Sequence, residues 1–381
     1  MIQGRRRPLA AAAGLLLAAL LPFCASRSAL AGPRRVGVWL TNSPSPLYYD
    51  GQRIERAVQE LAGAGFNTLY PNVWSRGTTF HRSRWAPTEP ALLKGAPGLD
   101  PICRMTTAAH RRGLRVIPWF EYGLMEPAEA AVVQQHPEWV LQKRDGSSRV
   151  TMHGKEMVWL NPAHPGVRER FLGLIGEIVQ RCKVDGIQLD DHFAWPVELG
   201  YDPFTRDLYQ RDTGRQPPDD HTDRAWMIWR RHQLSGLLRE LRATLRSSGQ
   251  GSPYVSLSPG PFRFAYNHWL QDWEIWALGG LIDELVVQNY AYSVQGYERD
   301  LNQPALLKAS RWGIPVEIGI LAGFGGRTTP LPALSEKVRL AAERGHGVIY
   351  FYWEGLWGQH AGPEGGELRR NGFSQLHRNL F

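Results

Sequence analysis

The chain is poor in cysteine, with Cys24, Cys103 and Cys182 the only three in 381 residues. A small scaffold stapled by several disulfides is thereby excluded, as is a cysteine-rich metal domain. Cys103 and Cys182 each fall in a segment with helical periodicity, so two buried or free thiols are expected rather than a disulfide. Charge is also sparse, at 21% of residues, and it is scattered without a dense basic run, which argues against nucleic acid as a partner. No Gly-rich phosphate turn follows the first apolar strand, and neither Gly-x-Ser-x-Gly nor His-Glu-x-x-His occurs. These absences count against a dinucleotide fold, a serine-hydrolase elbow and a zinc protease. No cofactor is expected.

At the N-terminus, Arg5, Arg6 and Arg7 precede an apolar run from Leu9 to Leu21, and Ala29-Leu30-Ala31 offers a small-x-small cleavage site. Residues 1–31 therefore read as a secretory signal, and an exported, periplasmic or extracellular protein is expected. Removing them deletes Arg5, Arg6, Arg7 and Arg27 and no acid, which lowers the formal charge from +8 to +4. Much of the basic excess thus belongs to targeting. Lipidation at Cys24 is disfavoured, because Leu21-Pro22-Phe23 lacks a small residue just before it. The run is short for a spanning helix; peripheral or anchored membrane association through this segment is the alternative.

The remainder alternates between two patterns. Eight runs rich in Val, Ile, Leu and aromatics read as strands: Val36 to Asn42, Phe66 to Trp74, Leu114 to Tyr122, Gly186 to Asp191, Tyr254 to Ser258, Glu284 to Tyr292, Pro315 to Leu321 and Gly347 to Glu354. Between them lie helical periodicities, including Gln52 to Ala64, Pro101 to Arg112, Val167 to Cys182, Asp223 to Arg246 and Leu331 to Arg344. Alternation of this kind implies a parallel sheet with crossover helices, and eight units of even composition without a linker imply one α/β domain, a (β/α)8 TIM barrel, over residues 32–358. Residues 359–381 read as a tail packing on or trailing the barrel. Met125 to Asn161 and Trp195 to His221 read as long loops at the carboxyl face.

In such a barrel the active site is assembled at the carboxyl ends of the strands. The fourth strand, Gly186-Ile187-Gln188-Leu189, delivers the adjacent carboxylates Asp190 and Asp191, followed by His192. Burial and mutual repulsion push the pKa values of such a pair apart, which is useful for acid–base chemistry. Glu121 closes the third strand and Glu354 follows the last, so these four acids are the catalytic candidates. Asp185 enters its strand at the opposite face and is assigned a turn role. Amides and aromatic rings share the rim: Trp39, Asn42, Asn72, Trp74, Trp119, Asn161, Gln188, Trp195, Gln288, Asn289, Tyr290 and Trp353. With His192 they are the candidate substrate contacts. Acids and amides for hydroxyls, and ring faces for the apolar side of a sugar, describe a polysaccharide site. A metal at Asp190-Asp191-His192 is disfavoured by the missing second histidine at ligand spacing.

Seven motifs, in order, carry a family likeness: Arg35 to Thr41, Gly65 to Pro71, Trp159-Leu160-Asn161-Pro162, Asp185 to Asp191, Leu270-Gln271-Asp272-Trp273, Val287-Gln288-Asn289-Tyr290 and Tyr352 to Trp357. Over roughly residues 34 to 358 the chain resembles the glycosyl-hydrolase-like 10 family. The resemblance implies an exported glycosidase-like barrel, with bacterial members that cleave peptidoglycan glycan strands, notably strands stripped of stem peptides. It maps the family's strand-4 Asp pair onto Asp190 and Asp191 and its strand-8 acid onto Glu354. The third strand of that family commonly ends in Asn, whereas Glu121 stands here. The expected function is hydrolysis of a cell-wall glycan, by carboxylate acid–base or N-acetyl-assisted catalysis; a silent glycan-binding barrel and an exopolysaccharide glycosidase are the alternatives.

Overall fold

A computed structural model describes residues 34–42, 45–152, 154–247, 253–309, 311–358 and 360–381. The expected signal segment and Cys24 lie outside these residues. Eight parallel strands form the inner wall: β1 Val36–Leu40, β2 Thr68–Pro71, β3 in two pieces Arg115–Val116 and Trp119–Phe120, β4 Gly186–Asp190, β5 Tyr254–Ser258, β6 Glu284–Asn289, β7 Val316–Leu321 and β8 Val348–Phe351. After each in turn comes an outer helix: α1 Gly51–Gly63, α2 Pro101–His110, α3 Pro165–Cys182, α4 Arg224–Ser247, α5 Trp273–Leu278, α6 Val294–Leu301, α7 Leu331–Glu343 and α8 Gly366–Leu380.

Hydrogen bonding orders the sheet β3-β2-β1-β8-β7-β6-β5-β4-β3, with the two pieces of β3 at its two ends. Pro118, which has no N–H to give, separates those pieces. The first piece pairs Val116 with Leu69 of β2, and the second pairs Trp119 with Gln188 of β4. Trp119 also bridges Asn72, so one residue of β3 touches both neighbours and the cylinder closes. The (β/α)8 expectation holds, strand by strand.

Strand parity divides the core in two. Val36, Val38 and Leu40 of β1 face the helices and join the large outer core, while Trp39 packs inside with Tyr70, Ile117, Trp119, Val286 and Ile349. Each such aliphatic side chain contributes about 1.5–3 kcal/mol by leaving water. Gly37 occupies an interior position that has no room for more: a Cβ there would lie 2.8 Å from both Ile349 and Tyr70. At the αβ junctions Gly65, Gly113 and Gly345 take φ of 82°, 72° and 86°, the left-handed turn that sends the chain back into a strand.

Three expectations change. Cys103 and Cys182 form a disulfide, because packing of α2 against α3 brings their Cα atoms to 4.6 Å across a sequence separation of 79. Periodicity placed each cysteine on a helix but carried no information on how the helices meet. Met125 to Asn161 is not a plain loop: Met125–Pro127, Val150–Met152 and Lys155–Trp159 make a three-stranded antiparallel sheet. Within Trp195 to His221 stands the helix Pro203–Thr213, capped by Asp202, whose carboxylate accepts the Thr205 N–H at 3.0 Å. The tail docks as α8; His377 Nδ1 donates to the Ala64 carbonyl at 2.7 Å. Among the described residues no helix is long and apolar enough to cross a membrane.

Candidate active site

At the carboxyl end of the barrel lies a cavity of about 550 Å³. Asp190 ends β4, and parity turns it inward above Gln188, as alternation along a strand dictates. Its side chain is buried; the Trp119 indole donates to its Oδ2 at 2.6 Å and the His192 amide to its Oδ1 at 3.3 Å. Burial first, and the neighbouring Asp191 second, raise the Asp190 pKa well above the carboxylate range. Of the pair, Asp190 is the member that favours its protonated form.

Asp191 titrates the other way. Loss of water contact pushes its pKa up, but His192 and hydrogen bonds from Asp190 and Gln288 outweigh that and lower it. The His192 imidazole holds the balance. Its Nδ1 lies 3.1 Å from Asp190 Oδ1, 3.6 Å from Asp191 Oδ1 and 2.8 Å from the Glu121 carbonyl, which accepts its proton. Burial alone would lower its pKa, yet Asp191 and Asp190 raise it to about 10. The triplet thus sets a carboxyl that favours its proton next to one that favours ionisation, with the imidazole in reach of both.

A close backbone approach positions His192. Gly123 has φ 50°, and a Cβ there would stand 2.5 Å from the Phe193 nitrogen; beside it the Leu124 N–H donates to the His192 carbonyl at 3.1 Å. Glu121, half-buried, has its pKa raised by desolvation against the pull of His192 and Arg76. The Asn72 amide donates to Glu121, and its Oδ1 accepts the Trp74 N–H at 3.1 Å.

Of the residues named from the sequence, Trp39, Trp119, Glu121, Asp190, Asp191, His192, Gln288 and Tyr290 line the cavity. Gln188 lies beneath it, accepting the Trp39 indole N–H at 2.7 Å and donating to Ser256 at 3.0 Å, so it fixes the ring that forms the floor. The others stand elsewhere. Asn42 is buried and bonded with the Tyr49 hydroxyl, and Trp74 is buried under the Arg170 guanidinium at 4.8 Å. Asn161 is tied to Asp202 and Thr205, Trp195 donates to the Leu199 carbonyl, and Asn289 donates to the Tyr297 carbonyl. Trp353 and Glu354 do not border the cavity: the chain leaves β8 after Phe351 and enters the short helix Trp353–Leu356, which turns the buried Glu354 carboxylate toward Gly358. Phe351 takes the place at the rim.

Sequence reasoning missed most of the walls. Met125, Met152, Lys155 and Met157 come from the antiparallel sheet, Arg76 from the hairpin Trp74–Ser75/Thr78–Thr79, Phe324 from the hairpin Gly323–Phe324/Arg327–Thr328, and Tyr122, Tyr292 and Leu321 from strand ends and loops. No periodic signal in the sequence marks these positions as sharing one face. The donor atoms of Asp190, Asp191 and His192 lie within 4.8 Å of one another, but they are already engaged with each other, Trp119 and the Glu121 carbonyl. The second such group, Asp100 with Cys103 and Cys182, has its sulfurs joined.

Known proteins give this geometry its setting. The chain is 25% identical over 301 residues to "Glycosyl hydrolase DigH" of Escherichia coli (strain K12) and, equally, to that of Shigella flexneri; each match covers 70% of this chain and 64% of the relative. The chain thus spans under two thirds of those relatives' length. Its fold is similar to the glycoside hydrolase domain of PgaB (BpsB) from Bordetella bronchiseptica, with TM-score 0.68 and 12% identity over 91% of this chain and 99% of that one. It is also similar to alpha-L-fucosidase isoenzyme 2 from Paenibacillus thiaminolyticus, with TM-score 0.65 and 15% identity over 91% and 49%. The model of the family described as glycosyl hydrolase-like 10 matches residues 34–339, and the chain belongs to that family.

Proposed function

We propose that this protein is an exported glycoside hydrolase that cleaves a cell-wall glycan, with peptidoglycan strands stripped of their peptides as the preferred substrate. The observation that carries the reading is the pair Asp190 and Asp191, their pKa values pushed in opposite directions, at the floor of a cavity large enough for sugar rings. Family membership and the resemblance described above favour this substrate, and Tyr122, Tyr290 and Tyr292, which border the cavity without being buried, offer ring faces beside the acids. The Cys103–Cys182 disulfide fits an oxidising compartment and so supports export.

In the mechanism proposed, Asp190 gives its proton to the leaving glycosidic oxygen as that bond to the anomeric carbon breaks. The carbonyl oxygen of the substrate's own 2-acetamido group attacks the same carbon, while anionic Asp191 accepts the acetamide N–H and balances the positive charge that forms. Water then attacks the anomeric carbon, returns a proton to Asp190 and restores the acetamide, with overall retention. His192 acts as a positioning residue: its charge keeps Asp191 ionised. Activity then needs Asp190 protonated and Asp191 ionised, so it falls on the acid side only below the ordinary carboxylate range and on the alkaline side as Asp190 loses its proton.

The test is release of reducing ends from amidase-treated peptidoglycan. New ends with wild type that vanish in Asp190→Asn support the enzyme. Tight glycan binding without new ends would establish a binding barrel instead, and cleavage confined to an exopolysaccharide in a substrate panel would move the specificity.

A further inference from the structure

A second hollow of about 270 Å³ opens off the cavity, sharing Arg76, Tyr122, Lys155 and Met157 with it and ending at Pro127, Glu129 and Ala131. Arg76 and Lys155 border both, while the acids beside them differ. The cavity floor carries Asp190, Asp191 and Glu121, whereas Arg76 and Lys155 face each other's hollow from two different hairpins, with Glu129 the one acid lining it. Arg76 is also held in an unfavourable backbone conformation. It has φ 53° and Gly77 φ 79°, the two central residues of a tight turn joining Trp74–Ser75 to Thr78–Thr79. Such turns favour Asn-Gly, and a long side chain in the left-handed region costs stability, so an arginine kept there calls for a reason outside the turn. Among the described residues neither Arg76 nor Lys155 forms an ion pair, and the Arg76 charge acts on the Glu121 carboxyl.

We propose that Arg76 and Lys155 form a subsite, next to the Asp pair, that takes a glycan unit bearing a free carboxylate. The inference rests on the reading of the site as glycan-cleaving and adds the chemistry of one of its sugars. The two cations, from two different hairpins, clasp the acid group, Tyr122 lies under the sugar ring, and the Asp191 carboxylate repels that unit from the cleavage position. A carboxylate capped as an amide offers no charge to the pair, so peptide-bearing strands would lose this contact while stripped strands keep it.

The experiment compares amidase-treated peptidoglycan strands with the same strands after their carboxylates are converted to methylamides. Wild type should favour the free acid by about tenfold or more in kcat/KM, the size of one charge-assisted contact, and less so in high salt. Arg76→Asn and Lys155→Gln should each pull that ratio toward one. Arg76→Asn also installs the turn's favoured pair, so an unchanged or higher Tm together with the lost ratio separates recognition from damage. Calorimetric binding of both strands to Asp190→Asn gives a readout that does not need turnover. Preference in binding without cleavage would sink the hydrolase reading and keep the subsite; cleavage with equal rates on both strands, or variants that retain the preference, would overturn the subsite alone.

Discussion

Two buried acid–base clusters sit at opposite ends of the same barrel, and they differ in one respect. At the amino end, Arg35 donates through Nε to Glu284 at 3.0 Å, the Tyr70 hydroxyl donates to the same carboxylate at 3.0 Å, and Glu317 accepts the Gly347 N–H. Burial drives the Glu317 pKa to about 8, a shift as marked as many catalytic ones. At the carboxyl end, Asp190, Asp191 and His192 are also displaced from their ordinary values, but they open into the cavity. The lesson is that a displaced pKa marks desolvation, and only access to a ligand-sized space turns it into chemistry. The amino-end cluster closes on itself and locks β1, β6, β7 and β8 together.

Substitutions at the two ends should therefore separate activity from stability. Asp191→Asn, measured by reducing-end release, is expected to cost roughly 10²- to 10⁴-fold in rate, far more than its loss of folded fraction accounts for. Glu284→Gln strands the buried Arg35 charge and should cost about 3–5 kcal/mol in a urea titration, with the folded fraction still active. If Glu284→Gln instead abolished catalysis at full stability, the contrast between the ends would fail. Cys103→Ser opens a long covalent loop on the outer wall and should cost about 2–4 kcal/mol of stability by the same titration, leaving kcat unaltered.

The finest test concerns His192. Its folded pKa of about 10 lies above the ordinary histidine value of 6.5, so the folded chain holds a proton that the unfolded chain releases. The resulting stabilisation is complete below pH 6.5 and fades as pH rises toward 10. Tm measured across that window should slope downward for wild type and more gently for His192→Gln; equal slopes would remove His192 from its assigned place between the two acids.

Much of this molecule was legible before any coordinates. Val36-Gly37-Val38-Trp39-Leu40 and its seven counterparts declare buried parallel strands through short, largely apolar runs, and Gly65, Gly113 and Gly345 mark the turns into three of them. Asp190 at the end of such a run could be placed by parity alone. Glu354 could not, because the residue after a strand follows whatever the backbone does next, and here it enters a helix. Asn161 and Trp195 look like rim groups in sequence yet spend their polar atoms inside loops that carry structure of their own.

What the sequence by itself determined was local: the order of strands and helices, the face each residue presents, and the arrival of two adjacent acids at one barrel end. Periodicity and alternation encode those directly. The tertiary structure alone decided which acids share a space, that Cys103 meets Cys182, and that Arg76, Lys155 and three methionines wall the cavity. Such meetings depend on how hairpins fold back over the barrel mouth, across separations at which neighbouring residues leave no periodic trace.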